Sequence, residues 1–314
     1  MTSGNMNLIL IISILLVFSC SGNSETVDVG EDNLADLDKI EAPDEIVYPS
    51  EKTNLPQVDR LIVVGDVHGD LTALKRALYK AGAIDEDLEW VGGKLVIVQI
   101  GDILDRGDND FEVINLFEKL KKDAKKNGGV IHTLSGNHEL MNVQLDFRYV
   151  TDLSTERFEE STGLTREEAF KPGGEYARLL AEFPVVIKIG KIIFVHGGIV
   201  PEQVKYGIDR LNYELSSWMK GDPDDLSNHL KGEQGLVWRR DYSEDTDEED
   251  CEKLYETLEL LDAEMMIVGH TVQDNINSEC NGHVWRVDTG MSWYYGGVTE
   301  VLEIKNGEIN VLSL

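Results

Sequence analysis

Length, composition and charge place this chain among globular proteins. Its 314 residues (35.2 kDa) suffice for one large or two ordinary domains, and 41% hydrophobic residues with only 7 prolines exclude a collagen, a low-complexity disordered chain and a multispanning membrane protein. The 29 Lys and Arg against 59 Asp and Glu give a net charge of −30, which argues against binding to nucleic acid or to an anionic lipid surface.

The N-terminal segment has the pattern of an export signal. Residues 1–19 contain no charged side chain, and the apolar run at 8–18 is shorter than the roughly 20 residues of a transmembrane helix. Val17 to Cys20 resembles a bacterial lipobox, so we expect residues 1–19 to be a lipoprotein-type signal peptide and Cys20 to carry the lipid. This predicts an exported protein whose only membrane contact is the lipid. An ordinary cleaved signal and an uncleaved anchor are the alternatives.

Residues 20–57 are polar and acidic, and contain too few large apolar side chains to build a core. Charged linkers repel themselves and extend, so this segment is predicted to be a flexible acidic tether. The folded domain is then expected to occupy residues 58–314.

Within that domain, short apolar runs alternate with helical stretches. The predicted elements are strands at 61–64, 95–100 and 130–134 and helices at 71–81 and 111–126, an alternation typical of β-α-β units. After residue 181 the pattern changes to two hairpins, at 185–195 and 298–312, with a helix at 248–261 and a strand at 265–268 between them. The sequence therefore predicts an α/β domain in which a sandwich of strands is covered by helices.

Five of the apolar strands end in the same way, with glycine beside Asp, Asn or His. These strand ends are Gly65-Asp66-Val67-His68, Gly101-Asp102, Gly136-Asn137-His138, His196-Gly197 and Gly269-His270. Strand ends present side chains to a crevice, and glycine permits a close approach of the backbone there. Oxygen and nitrogen donors of these types suit Mn, Fe, Zn or Mg, so the pattern predicts a metal centre.

The donor set is large enough for two divalent ions. Asp102 is the predicted bridge, because one carboxylate must serve both ions. The other predicted ligands are Asp66 and His68 for one ion and Asn137, His196 and His270 for the other. Two such ions would lower the pKa of a shared water to about 7, and the resulting hydroxide would attack phosphorus in line.

Three further residues have predicted roles in phosphate chemistry. Arg106 offers a planar fork of hydrogen-bond donors for phosphate oxygens. Asn137 is also expected to bind the substrate phosphate. His138 is expected to protonate the leaving oxygen as a general acid, oriented by Asp105. The alternatives are that His138 is a metal ligand or supports one, and that Asp105 is only a turn residue.

These motifs, in this order, resemble the phosphoprotein phosphatase branch of the calcineurin-like metallophosphoesterases. They are most similar to the Shewanella-like protein phosphatases, through residues 65–70, 101–107, 136–142, 172–177, 194–198, 269–271 and 288–292. The resemblance implies a four-layer α/β/β/α sandwich that binds two divalent metal ions, Mn, Fe or Zn being expected. It also implies a second phosphate-binding arginine within Trp238-Arg239-Arg240, where the family pattern favours Arg240.

The activity implied by the resemblance is hydrolysis of phosphoric monoesters. The expected substrate is a phosphorylated protein, at phosphotyrosine or at phosphoserine and phosphothreonine, or a small phosphoester. Hydrolysis of dinucleoside polyphosphates is one alternative, and a non-catalytic phosphate- or metal-binding lipoprotein is another. Export would also place Cys251 and Cys280 in an oxidising compartment, where a disulfide between them is plausible. The oligomeric state stays open.

Overall fold

The computed structural model describes residues 53–313, which form eleven strands, nine α-helices and a short 3₁₀-helix (Cys280–Gly282). The strands are β1 (Asn54–Leu55), β2 (Arg60–Val64), β3 (Val96–Gln99), β4 (Val130–Thr133), β5 (Val186–Ile189), β6 (Ile192–Val195), β7 (Met265–Val268), β8 (Asn277–Glu279), β9 (Val284–Arg286), β10 (Glu300–Lys305) and β11 (Glu308–Ser313). The helices are α1 (Leu71–Lys80), α2 (Asp110–Lys126), α3 (Asn137–Val143), α4 (Asp152–Thr162), α5 (Arg166–Phe170), α6 (Glu175–Leu180), α7 (Pro201–Tyr206), α8 (Ile208–Met219) and α9 (Glu248–Leu260).

The strands form two mixed sheets. One has the order β11-β10-β2-β3-β4, in which β2, β3 and β4 run parallel, as the predicted β-α-β units require. The other has the order β1-β5-β6-β7-β9-β8. Both predicted hairpins, β5–β6 and β10–β11, are confirmed as antiparallel pairs.

Alternate side chains of a strand belong to two separate cores. Leu61 and Val63 of β2 join an apolar cluster that also contains Phe194 and Ile267 from the other sheet, so this cluster lies between the sheets. Ile62, the residue between them, belongs to a second cluster that includes helix side chains. Because successive strand residues point to opposite faces, each sheet packs on the other sheet with one face and on helices with the other. The four-layer α/β/β/α sandwich is thus confirmed.

The N-terminal boundary of the folded domain differs from the prediction. Asn54 and Leu55 pair in parallel with Lys188 and Ile189 of β5, and the Lys188 amide donates a hydrogen bond to the Thr53 carbonyl (2.7 Å). The domain therefore includes residues from Thr53, and the predicted tether must end before it. The predicted signal peptide, Cys20 and the rest of the tether lie outside the described residues. In the range 53–313, no helix is both long and apolar enough to cross a bilayer.

A disulfide joins the two cysteines of the domain. Cys251 of α9 is bonded to Cys280, which follows β8, with 5.3 Å between their Cα atoms. The bond closes a separation of 29 residues and ties α9 to the edge of the six-stranded sheet. Such a cross-link stabilises the folded state mainly by restricting the unfolded chain.

Candidate metal centre

The five glycine-containing strand ends converge on one pocket, between the carboxyl ends of β2, β3 and β4 in one sheet and of β6 and β7 in the other. Two of the glycines are required by close approaches to carboxylates. A Cβ on Gly136 would lie 2.1 Å from Asp102 Oδ1, and a Cβ on Gly269 would lie 2.4 Å from Asp66 Oδ1. Any larger residue at either position would displace the carboxylate from the pocket.

The backbone around this pocket is strained. Several residues without the freedom of glycine adopt positive φ angles, namely His68 (46°), Asp102 (56°), Asp105 (71°), Arg106 (67°) and His270 (69°). Such angles are uncommon for these residue types and persist only where the surrounding structure enforces them. These positive φ angles occur mainly at predicted site residues. The fold therefore holds the backbone there in a less favourable conformation, which fixes the positions of the side chains.

Asp102 lies at the centre of the histidine side chains. Its Oδ2 is 3.2 Å from His196 Nε2, 3.8 Å from His68 Nε2 and 3.9 Å from His138 Nε2, while its Oδ1 accepts the His138 backbone N–H (3.0 Å). Asp102 is shared by two groups of donors that could each hold a metal ion, one with His68 and His138 and one with His196 and His270. This shared position is the one that a bridging carboxylate needs.

The remaining predicted ligands lie in the same pocket. Asp66 Oδ2 is 4.0 Å from His68 Nε2 and accepts the His270 backbone N–H (3.1 Å). Asn137 Oδ1 is 3.1 Å from His196 Nε2. The structure therefore brings together all six predicted ligand residues, from strands that are distant in sequence.

The hydrogen bonds of two histidines fit metal coordination. Nδ1 of His68 lies 3.1 Å from the Leu104 carbonyl, and Nδ1 of His196 lies 3.0 Å from the Ile100 carbonyl. Since a carbonyl only accepts hydrogen bonds, Nδ1 carries a proton in each ring, and Nε2, the nitrogen that faces Asp102, is the one available to coordinate a metal ion when it is deprotonated. In each ring a metal ion can therefore replace the Nε2 proton and lie between the imidazole and the Asp102 carboxylate.

The charges of the pocket lead to the same conclusion. Burial, and then the neighbouring Asp288 and Asp102 carboxylates, raise the pKa of Asp66 well above its usual range. Burial also acts to raise the pKa of Asp102, but His196, His138 and His68 outweigh it and hold that pKa well below its usual range. Nε2 of His270 is buried without a hydrogen-bond partner among the described residues. Buried carboxylates and a free imidazole nitrogen form a donor set that suits divalent cations.

His138 and Asp105 form a buried pair beside the ligands. His138 Nδ1 lies 2.6 Å from Asp105 Oδ2, and both residues are almost completely buried. Burial alone would lower the pKa of His138, but the carboxylates of Asp102 and Asp105 raise it above its usual value. Asp105 therefore does more than form a turn, because its carboxylate fixes the imidazole with Nε2 facing the pocket.

The two predicted phosphate-binding arginines differ in their surroundings. The Arg106 guanidinium packs on the rings of Tyr149 (4.4 Å), Tyr294 (5.1 Å) and Tyr295 (5.3 Å). Arg240 is half exposed and donates a hydrogen bond to Thr271 Oγ1 (2.8 Å), directly after His270.

Arg239 is the other arginine that the Trp-x-Arg resemblance had to consider. Its side chain is 11% exposed and forms an ion pair with Asp241 (3.0 Å). Arg240 also faces a carboxylate, that of Glu244 at 3.8 Å, but its side chain is more exposed (45%) and bonds Thr271 beside a predicted ligand, so Arg240 stays the predicted phosphate contact.

Among the buried acids without a role in the sequence prediction, Glu139 and Asp288 lie close enough to Asp102 to repel its carboxylate. The Glu139 carboxylate accepts the backbone N–H groups of Gly136 (2.7 Å), Asp102 (2.8 Å) and Ile103 (3.0 Å), and so fixes two of the strand ends to each other. Burial raises the pKa of Glu139 to about 7 and that of Asp288 to about 6. Both lie inside motifs that carry the family resemblance, so their position in those motifs was the available signal. The tyrosines around Arg106 gave no comparable signal.

Comparison with known proteins agrees with this geometry. Residues 59–274 match the sequence model of the family described as calcineurin-like phosphoesterase. Shewanella-like protein phosphatase 2 of Arabidopsis thaliana is 34% identical over 81% of this chain and 77% of its own length, and Shewanella-like protein phosphatase 1 of Plasmodium berghei is 32% identical over 79% and 71%. The crystal structure of a cold-active protein-tyrosine phosphatase of a psychrophilic Shewanella species superposes with a TM-score of 0.73 at 27% identity, covering 83% of this chain and 82% of that one.

Proposed function

The chain belongs to the Shewanella-like protein phosphatases within the calcineurin-like phosphoesterases, and from this membership we propose that it removes phosphate from phosphotyrosine in proteins. It is a metallophosphoesterase. The observation that carries the choice of phosphotyrosine is the aromatic rim around Arg106. Tyr149, Tyr294 and Tyr295 surround the guanidinium that is expected to bind phosphate, and Trp293 beside them is 59% exposed.

This rim suits an aryl phosphate. When the phosphate group contacts Arg106, the side chain that bears it lies against the rim. The ring of phosphotyrosine can stack on these aromatic side chains, whereas the short side chain of phosphoserine makes fewer contacts with them. The solved structure with a TM-score of 0.73 is named a protein-tyrosine phosphatase, which supports the same substrate class.

Each residue of the pocket has a place in this reaction. Asp66, His68, Asp102, Asn137, His196 and His270 would hold two divalent ions, which supply Lewis-acid activation of water and offset the charge of the phosphate. Arg106 and Arg240 bind phosphate oxygens and fix the phosphorus in the pocket. The Asp105 carboxylate accepts a hydrogen bond from Nδ1–H of His138, and Nε2 gives its proton to the leaving oxygen.

The substrate class is tested with matched peptides. We expect the full chain loaded with Mn²⁺ to hydrolyse a phosphotyrosine peptide with a kcat/KM at least about 10-fold above that for the same peptide with phosphoserine. Trp293→Ala should lower kcat/KM for phosphotyrosine about 3- to 10-fold, the usual contribution of one aromatic contact, and leave phosphoserine unchanged. Tyr79→Ala, which removes a similarly exposed aromatic side chain (53%) on α1, is the control and should change neither.

Other outcomes would redirect the assignment. Equal or faster turnover of phosphoserine would show that the aromatic rim does not select the substrate. Hydrolysis of diadenosine tetraphosphate alone would favour a dinucleoside polyphosphate hydrolase, and metal binding without any hydrolysis would favour a binding protein.

We also propose that the protein is exported and held at a membrane by lipid on Cys20. The apolar run and lipobox-like Val17 to Cys20 support a signal peptide, and the Cys251–Cys280 disulfide is of a kind that persists in oxidising compartments. Cys20→Ala in the full chain is expected to move the protein from the membrane fraction to the soluble fraction and to abolish incorporation of labelled palmitate. Ser19→Ala, beside the lipidated position, should leave both unchanged. An unlabelled wild-type protein would contradict the lipid anchor.

A further inference from the structure

A buried arginine lies behind the His138–Asp105 pair, outside the set of residues that the proposed reaction uses. Arg166 is the first residue of α5, and it is only 3% exposed. Arginine is rarely buried so completely unless its charge is compensated. Its guanidinium is surrounded by polar side chains from four parts of the chain, namely Asp105, Asp110, Asn142 and Ser154.

These contacts fix one oxygen of the Asp105 carboxylate. Arg166 Nη2 lies 3.4 Å from Asp105 Oδ1, and Asn142 Nδ2 donates to the same oxygen (2.8 Å). Asn142 is itself oriented by Arg166, because its Oδ1 accepts from Arg166 Nε (2.9 Å) and Nη2 (2.7 Å). With Oδ1 occupied by these donors, Oδ2 is the oxygen presented to His138 Nδ1, at 2.6 Å.

Arg166 also fixes the backbone of Asp105, through Asp110. Asp110 Oδ1 accepts the backbone N–H of Asp105 (2.9 Å), and its Oδ2 accepts from Arg166 Nη2 (2.7 Å) and from Ser154 Oγ (2.9 Å). This support matters, since the φ of 71° at Asp105 is uncommon for a residue with a side chain, although aspartate adopts it more readily than most. Both the side chain and the main chain of Asp105 thus depend on the same guanidinium.

Aromatic rings keep the guanidinium in place. The rings of Phe170 (4.9 Å), Phe147 (5.7 Å) and Phe158 (5.7 Å) surround it, and they pack it away from water. Among the described residues, no arginine or lysine other than Arg166 forms an ion pair with the buried Asp105 and Asp110. Its removal would leave two neighbouring carboxylates without a fixed cation behind the imidazole.

We infer that Arg166 is a positioning residue for proton donation, which holds the Asp105 carboxylate so that His138 presents Nε2 to the leaving oxygen. Arg166 does not touch the pocket and acts only through Asp105. The inference rests on the proposed role of His138 as general acid. It assigns to α5, a helix of five residues that is distant from the strand ends in sequence, a part in setting the rate of the chemical step.

The test compares two substrates that differ in their need for an acid. Phenyl phosphate releases a basic phenolate and depends on protonation, whereas 2,4-dinitrophenyl phosphate releases a stable anion and does not. In the full chain loaded with Mn²⁺, we expect Arg166→Met to lower kcat about 100-fold for phenyl phosphate and less than about threefold for 2,4-dinitrophenyl phosphate. Arg166→Lys, which keeps the charge but lacks the fork, should fall between Arg166→Met and the wild type.

Two further variants separate positioning from stability. The double variant Arg166→Met with Asp110→Asn removes both charges of the buried pair, so that neither is left uncompensated. It replaces the single variant if Arg166→Met does not fold, and it should show the same difference between the two substrates. Leu78→Ala in α1 creates a cavity in the core remote from the pocket, and it should lower the unfolding temperature without changing the ratio of the two rates.

The outcomes for this inference and for the proposed function are distinguishable. His138→Asn is expected to lower kcat for phenyl phosphate much more than for 2,4-dinitrophenyl phosphate, with a larger difference than in the Arg166 variants. If His138→Asn is selective and the Arg166 variants slow both substrates equally, Arg166 has only a structural role and the inference is wrong. If His138→Asn itself slows both substrates equally, the proposed acid is wrong, and the positioning role falls with it.

Discussion

Asp102→Asn is expected to abolish retention of both divalent ions and to lower kcat by at least about a thousandfold, which corresponds to about 4 kcal/mol of transition-state stabilisation. The reason is the shared position of this carboxylate. Its Oδ2 lies 3.2 Å from His196 Nε2 and 3.8 Å from His68 Nε2, and the groups of donors on both sides include it. An amide in its place supplies no negative charge to either side.

Metal analysis of the purified variant is the decisive measurement, because it does not depend on activity. We expect two ions per chain in the wild type and fewer than one in Asp102→Asn. Glu300→Gln is the matched control, since Glu300 is also a buried acid that accepts a backbone N–H, from Ile276 (2.8 Å), but lies outside the donor set. Two ions retained in Asp102→Asn would disprove the bridging role.

The sequence predicts the sandwich well because its strands are continuous apolar runs. β2 and β3 are buried on both faces, one against the other sheet and one against helices, so nearly every position must be apolar. The turns are equally informative where a glycine is required, as at Gly190 and Gly307, which adopt φ angles of 60° and 83°.

The pocket was also predictable, because its residues follow the strands directly. Once the strands are placed side by side in two sheets, their carboxyl ends must meet, and the side chains that follow them must lie close together. No distance could be obtained in this way. The 2.6 Å contact between His138 and Asp105 depends on the positive φ of Asp105, which no pattern of residue types indicates.

Short elements and long-range polar contacts escaped the sequence reasoning. β1 has two residues and α5 has five, too few for a periodic pattern to be visible. Arg166 is 61 residues from Asp105 and 24 from Asn142 along the chain. A lone arginine in a polar stretch normally indicates a solvated surface, and only the fold, which brings Asp110, Asn142 and Ser154 around the guanidinium, buries this one.

His138→Asn is expected to lower kcat for phosphotyrosine about 10²- to 10⁴-fold, the usual contribution of a general acid. His138 satisfies the geometric requirement, since its Nδ1 is held by Asp105 while its Nε2 faces the pocket, 3.9 Å from Asp102 Oδ2. His132→Asn is the matched control. That histidine lies on β4 near Lys121 of α2 and belongs to neither donor group, so its replacement should leave kcat unchanged.

The metal content of His138→Asn decides between the two roles that the sequence leaves open for this residue. His138 belongs to a donor group with His68 and Asp102, so its position alone is compatible with a ligand as well as with an acid. An acid can be removed without loss of metal, whereas a ligand cannot. We expect two ions per chain in the variant, because Asp66 remains beside His68 and Asp102 to complete the group. Loss of one ion together with activity would make His138 a ligand, and the proton for the leaving oxygen would then have to come from another group.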